Sequence, residues 1–112
     1  MSLKVNTENL LIQLDYPLNE ATKKQLIKIT DNTKEFFSFA QHIFSLKDKL
    51  KLVDGTVTMS NSNPYLKIKS NSKIESEIEE FNKIVNSWAS KYKVELQKVE
   101  GKNTYYIVGK NS

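Results

Sequence analysis

The chain has 112 residues, 38% of them hydrophobic and 27% charged, with a net charge of +4 and no cysteine. That composition fits one folded domain large enough to bury a modest core, and it excludes disulfides, a thiolate nucleophile and cysteine-rich zinc sites. All seventeen positive charges are lysine; without arginine there is no planar fork for guanine or phosphate, which argues against base-specific nucleic-acid recognition.

No apolar run approaches the roughly 18 residues of a membrane-spanning helix, and the opening MSLKVNTENLLIQL lacks the layout of a signal peptide. A cytoplasmic location is expected. The leading Met-Ser-Leu carries no structural signal.

In chain order, LLIQLDYP (10–17) reads as a strand, with Leu10, Ile12 and Leu14 on one face and Asp15 and Pro17 ending it. Asn19 then caps a helix. From Glu20 to Leu50 the apolar residues keep a helical period, but an unbroken helix of about 30 residues would be roughly 45 Å long. A domain of this size has a radius of gyration of about 13 Å, so a kink or break is expected near Asp31–Asn32, where Asn32 and Glu35 resemble a capping box; one long helix projecting into a dimer is the alternative.

LKLVDGTVTMS (50–60) carries the signature of a hairpin turning at Asp54–Gly55 in a type I′ turn. YLKIKS supplies a further strand with Leu66 and Ile68 on one face and Lys67 and Lys69 on the other. The second helix starts at a capping box, Ser72 with Glu75. Its apolar stripe is Ile74, Ile78, Phe81, Val85, Trp88 and Tyr92, and glutamates load its first turn. VELQKVEGKNTYYIV closes the chain as a hairpin turning between Glu100 and Asn103. The expected fold is therefore α+β. It comprises a small, mostly antiparallel sheet of five to six strands in the order β-α-β-β-β-α-β-β, with two amphipathic helices on one face. No internal sequence repeat is visible.

Two surfaces are candidates for function. In the first helical stretch, Phe36, Phe37, Phe39, Ala40, Ile43, Phe44, Leu46 and Leu50 span about 180° of the circumference, wider than the stripe of a little over 100° that covering one sheet face requires. The second side of this sector either meets the other helix inside the same domain or is an interface; the leading functional expectation is self-association into a dimer, or docking of a protein partner, through Phe36, Phe37, Phe39, Ile43, Phe44 and Leu46. Lys47 falls inside this sector, where a dry core would tolerate it only if the side chain snorkels out.

The second candidate is a polyanion-binding surface formed by Lys67, Lys69, Lys102 and Tyr106, because basic strands with exposed rings can stack bases and neutralise phosphates. Tyr105 and Tyr106 must face opposite ways, so at most one is exposed. The aromatic motif of RNA-recognition sheets is absent from these strands.

Catalysis has no positive signal. The single histidine, His42, lies at the polar margin of its helix, and Glu35, seven residues away, is about 10.5 Å distant along the axis, too far to share a metal ion with it. The three glycines cannot form a phosphate-cradling loop, and the carboxylates of ESEIEE are explained by the helix dipole. No cofactor and no metal are expected.

Overall fold

The computed structural model describes residues 6–110; the leading Met-Ser-Leu lies outside them. The architecture is α+β, with four helices and a four-stranded antiparallel sheet among the described residues.

The first element corrects the sequence reading. Residues Thr7–Gln13 form helix α1, not the strand expected over 10–17. Asn6 caps it, its side chain accepting the Asn9 N–H at 2.8 Å, and the buried residues Leu10, Leu11 and Leu14 share a helical face while Ile12 is 55% exposed. The apparent alternation of Leu10, Ile12 and Leu14 is thus accidental: spacings of one and four bury the leucines, and the cap upstream decides the conformation.

Helix α2, Glu20–Asn32, starts where Asn19 predicts, in a capping box closed by Thr22. The long helical stretch is divided, as its length requires, at residues 33–35. Helix α3 follows as Phe36–Leu50, and Glu35, its N-terminal flanking residue, takes a left-handed conformation (φ 51°). No capping box forms there: the Asn32 amide donates to the Pro64 carbonyl and Glu35 makes no side-chain cap. The break has a tertiary cause. Lys34 forms a parallel bridge with Gly109, and the Lys110 N–H donates to the Lys34 carbonyl at 2.9 Å.

Asp54–Gly55 is not a hairpin turn. Helix α3 tightens into a 3₁₀ turn, Lys51–Val53, and Asp54 ends it in a left-handed conformation (φ 56°). Gly55 then opens strand β1, Gly55–Met59. A Cβ at Gly55 would lie 3.0 Å from the Phe81 ring and 3.1 Å from Leu50, so glycine serves close packing between helix and strand here. The actual hairpin loop is 60–65, leading into β2, Leu66–Ser70.

Helix α4 spans Glu75–Tyr92 with Ile74 at its N-cap, two residues later than the Ser72 box implies. Ser72 acts just outside it, its hydroxyl accepting the Ile74 N–H and donating to Glu77. Strands β3, Val94–Lys98, and β4, Thr104–Lys110, complete the chain as the expected final hairpin. Among the described residues the element order is therefore α-α-α-β-β-α-β-β rather than β-α-β-β-β-α-β-β, with four strands instead of five or six.

The sheet order is β1-β2-β4-β3, antiparallel throughout. Two units with the same plan, α3-β1-β2 and α4-β3-β4, join through their second strands. Each helix enters its first strand through one left-handed residue, Asp54 in the first unit and Lys93 (φ 55°) in the second. This duplication of plan carries no repeat of sequence.

The inner sheet face, with Val57, Met59, Leu66, Ile68, Tyr105 and Ile107, packs against α3 and α4, and the leucines of α1 together with Leu26 and Ile29 of α2 extend the same core. Phe39 meets Trp88 edge-on at 6.5 Å, and the Trp88 indole N–H donates to the His42 carbonyl at 2.8 Å, tying α3 to α4. Burying such aromatic side chains is the largest single hydrophobic contribution per residue.

Candidate functional site

Apart from Val108, the aliphatic side chains of β1, β2 and β4 point to the helices, so the other face of the sheet is left mainly to polar residues. Strand alternation puts Thr56 and Thr58 of β1, Lys67 and Lys69 of β2, and Tyr106 and Val108 of β4 on that outer face, half-buried or exposed. Register aligns them. Thr58, Lys67, Tyr106 and Gln97 form one row across four strands, and Lys69 lies in the next row between Thr56 and Thr104.

Three of the four residues singled out for polyanion binding thus share one surface, Lys67 directly opposite Tyr106 and Lys69 two residues along. Lys102 is exposed in the β3–β4 turn, whose neighbour Asn103 accepts the Ser70 N–H at 2.9 Å; this places it at the Lys69 end of the sheet. Tyr105 faces inward and is buried, its hydroxyl donating to Asn82 of α4 at 2.7 Å, as the alternation requires.

The ring of Tyr65 stands 6.0 Å from that of Tyr106 at an angle of 42°. The sequence contained the signal for Tyr65: residues 65, 67 and 69 alternate with the inward Leu66 and Ile68. The row partners Thr58 and Gln97 were not visible, because only the register sets them beside Lys67.

The 60–65 loop borders the same surface. Ser62 lies 3.5 Å from the Tyr106 hydroxyl, and hydrogen bonds from Ser62, Asn63 and Ser60, with a smaller contribution from Lys67, hold that hydroxyl below the usual phenol range. The loop is pinned to α2 at both ends. The Gln25 amide reaches the Ser60 carbonyl and Asn61, and Asn32 reaches Pro64.

The aromatic sector of α3 has a different outcome. Phe36, Phe39, Ile43 and Leu46 are buried within their own chain, Phe44 is half-buried and Phe37 is 53% exposed. Most of the greasy circumference, though not Phe37, finds its cover inside the domain because α4 packs beside α3 while the sheet lies beneath both. Lys47 snorkels as its position demands, its ammonium reaching the Gln13 carbonyl at the end of α1 and the Asp15 carboxylate at 3.0 Å. That contact, first as a hydrogen bond and then as a charge, holds the Asp15 carboxyl below its ordinary range.

His42 is half-buried and its ring stacks on Tyr92, centroids 3.7 Å apart and nearly parallel at 12°. Burial, then the positive charges of Lys91 and Lys110, lower its pKa. Serine neighbours do not form a nucleophile pair with it: Ser38 and Ser45 donate to the backbone carbonyls of Glu35 and His42. Among the described residues no group of three histidine, cysteine or acidic side chains is placed to hold a metal ion, and no helix is long and apolar enough to cross a membrane.

Comparison with protein-family models, with curated proteins and with solved structures finds no match to this chain.

Proposed function

We propose that the protein is a non-enzymatic binding module whose open sheet face holds an extended polyanion, single-stranded nucleic acid. The observation that carries this reading is the pairing of Lys67 with Tyr106 on the two central strands, with Lys69 and the Tyr65 ring beside them. A flat sheet row of this kind offers a base a ring to stack on and its phosphate a cation at neighbouring positions. Lysine supplies point charges and no bidentate fork, so binding is expected to follow the backbone with little preference between bases.

Titration of a labelled, mixed-sequence single-stranded oligonucleotide by fluorescence anisotropy at several salt concentrations tests the proposal. Log affinity is expected to fall linearly with log salt, by about 0.7 for each phosphate contacted. Lys67→Gln should lower that slope by about one such increment, and Tyr106→Ala should weaken binding by about 1–3 kcal/mol, the range for one stacked base. Absence of binding at low salt, or binding that neither substitution changes, would contradict it.

Self-association is a second proposal on narrower ground. Its support is the exposed Phe37 ring, packed edge-on against Phe36 at 5.2 Å, with the half-buried Phe44 on the same helix. Sedimentation equilibrium of the wild type and Phe37→Ser over a dilution series tests it; a monomer at every concentration would end it.

A further inference from the structure

Beside the open face runs a groove of about 550 Å³, with one wall from α2 and the other from the 60–64 loop. This is the size range of sites that enclose a small ligand or one unit of a larger one. Ala21 and Pro64 contribute apolar surface over the buried Ile29 at its floor, while Lys24 and Lys28 bring positive charge, and no acidic side chain lines it. The two lysines lie one helical turn apart, about 6 Å along the axis. Neither forms an ion pair among the described residues, whereas the neighbouring Lys23 is paired with Glu8 at 3.7 Å. The groove is also continuous with the sheet face, because Ser62 lines it and at the same time contacts the Tyr106 hydroxyl.

We infer that this groove continues the path of the bound strand. A nucleotide next to the one stacked on Tyr106 passes Ser62 and enters between α2 and the loop, its base against Pro64 and Ala21 and its phosphates at Lys24 and Lys28. The inference rests on the nucleic-acid reading of the sheet face and extends it to a second set of residues. The loop is suited to the role because Gln25 and Asn32 fix it to α2, so the groove exists before any ligand arrives.

The test compares oligothymidylates of about four and about twelve nucleotides, a span chosen to bracket the site size of one small single-strand-binding fold. Wild type, Lys67→Gln and the double variant Lys24→Gln/Lys28→Gln are titrated by anisotropy at low and moderate salt. The double variant should bind the longer oligomer about tenfold more weakly, with a salt slope reduced by about 1.4, two phosphates' worth, and should bind the shorter one unchanged; Lys67→Gln should weaken both. If Lys67→Gln weakens both oligomers and the double variant alters neither, the groove is not on the path and the sheet-face reading stands alone. If the wild type binds neither oligomer, both readings fall. If only the double variant has an effect, the groove binds by itself and the shared path is wrong. Circular dichroism of each variant separates these outcomes from loss of fold.

Discussion

Gly109 of β4 lies against the backbone of Lys34 so closely that a Cβ there would come within 2.7 Å of the Lys34 Cβ and 2.9 Å of its nitrogen. This contact is where the α2–α3 connection crosses the end of the sheet, and it explains the break that divides the long helical stretch. Gly109→Ala should destabilise the fold by about 1–3 kcal/mol, as overpacking does, through displacement of backbone that has no flexible end to give way. Gly101 provides the contrast. It has φ +76° but nothing within 4 Å of its missing Cβ, so Gly101→Asn should cost less than about 1 kcal/mol. Urea denaturation of the two variants checks the difference.

The equivalent left-handed residues Asp54 and Lys93 differ in how well they suit that conformation. Lysine has no short polar side chain to offset the steric cost of about 1–2 kcal/mol, and glycine gives back part of that gain as unfolded-state entropy. Lys93→Gly is therefore expected to stabilise by about 0.5–1 kcal/mol, raising the thermal midpoint by several degrees at roughly 4–8 °C per kcal/mol. Asp54→Gly should gain less, because aspartate tolerates the left-handed region better. Thermal melts of both decide the matter.

His42 makes stability depend on pH in a defined direction. Its folded pKa lies below the ordinary 6.5 because of burial first and Lys91 and Lys110 next. Between the folded value and about 6.5 the unfolded chain binds more protons, so stability rises with pH across that window and is lost as pH falls through it. Replacing the ring in His42→Phe, which keeps an aromatic surface for Tyr92, should flatten urea midpoints measured from pH 5 to 8. Asp15 acts at lower pH: its carboxyl is depressed by Lys47, so its contribution is present above the ordinary carboxylate value and disappears as pH drops below it.

Phe37 and Phe39, two residues apart, separate surface from core. Phe39 is 1% exposed and meets both Phe36 and Trp88 edge-on, so Phe39→Ala should cost about 3–5 kcal/mol. Phe37→Ser should fall within about 0.5 kcal/mol, as exposed substitutions do. Denaturant unfolding of the two measures the gap directly.

Much of this architecture was legible. The cap at Asn19, the periodicity of α3 and α4, the strand YLKIKS and the final hairpin follow from local rules, because local hydrogen bonds and one buried face settle them. Three features were not. The segment 10–14 matches a strand period and a helix period equally at so short a length, and the deciding cap, Asn6, lies upstream of the apolar run. Asp54–Gly55 satisfies both a hairpin turn and a helix end; only the helix running on through Val53, with Phe81 packed on Gly55, selects the second. The width of the aromatic sector on α3 left cover by the other helix and cover by a partner both open, because the sequence does not reveal that α4 lies alongside.

The candidate face was legible in its residues and hidden in its assembly. Alternation assigns Lys67, Lys69 and Tyr106 to outward positions, but that Lys67 stands opposite Tyr106 depends on β2 pairing with β4 rather than with β3. Nothing in the sequence singles out Lys24 and Lys28, since the loop that makes a groove of them is some 35 residues away, as the Gln25–Ser60 contact records.

The most direct measurement is a two-dimensional amide NMR titration of isotopically labelled protein with a short single-stranded oligonucleotide at low salt. Binding on the open sheet predicts shift changes centred on Thr58, Lys67, Lys69, Gln97 and Tyr106, leaving the buried amides around Phe81 and Val85 of α4 undisturbed. Changes confined to the helical side, or no change at excess oligonucleotide, would contradict it.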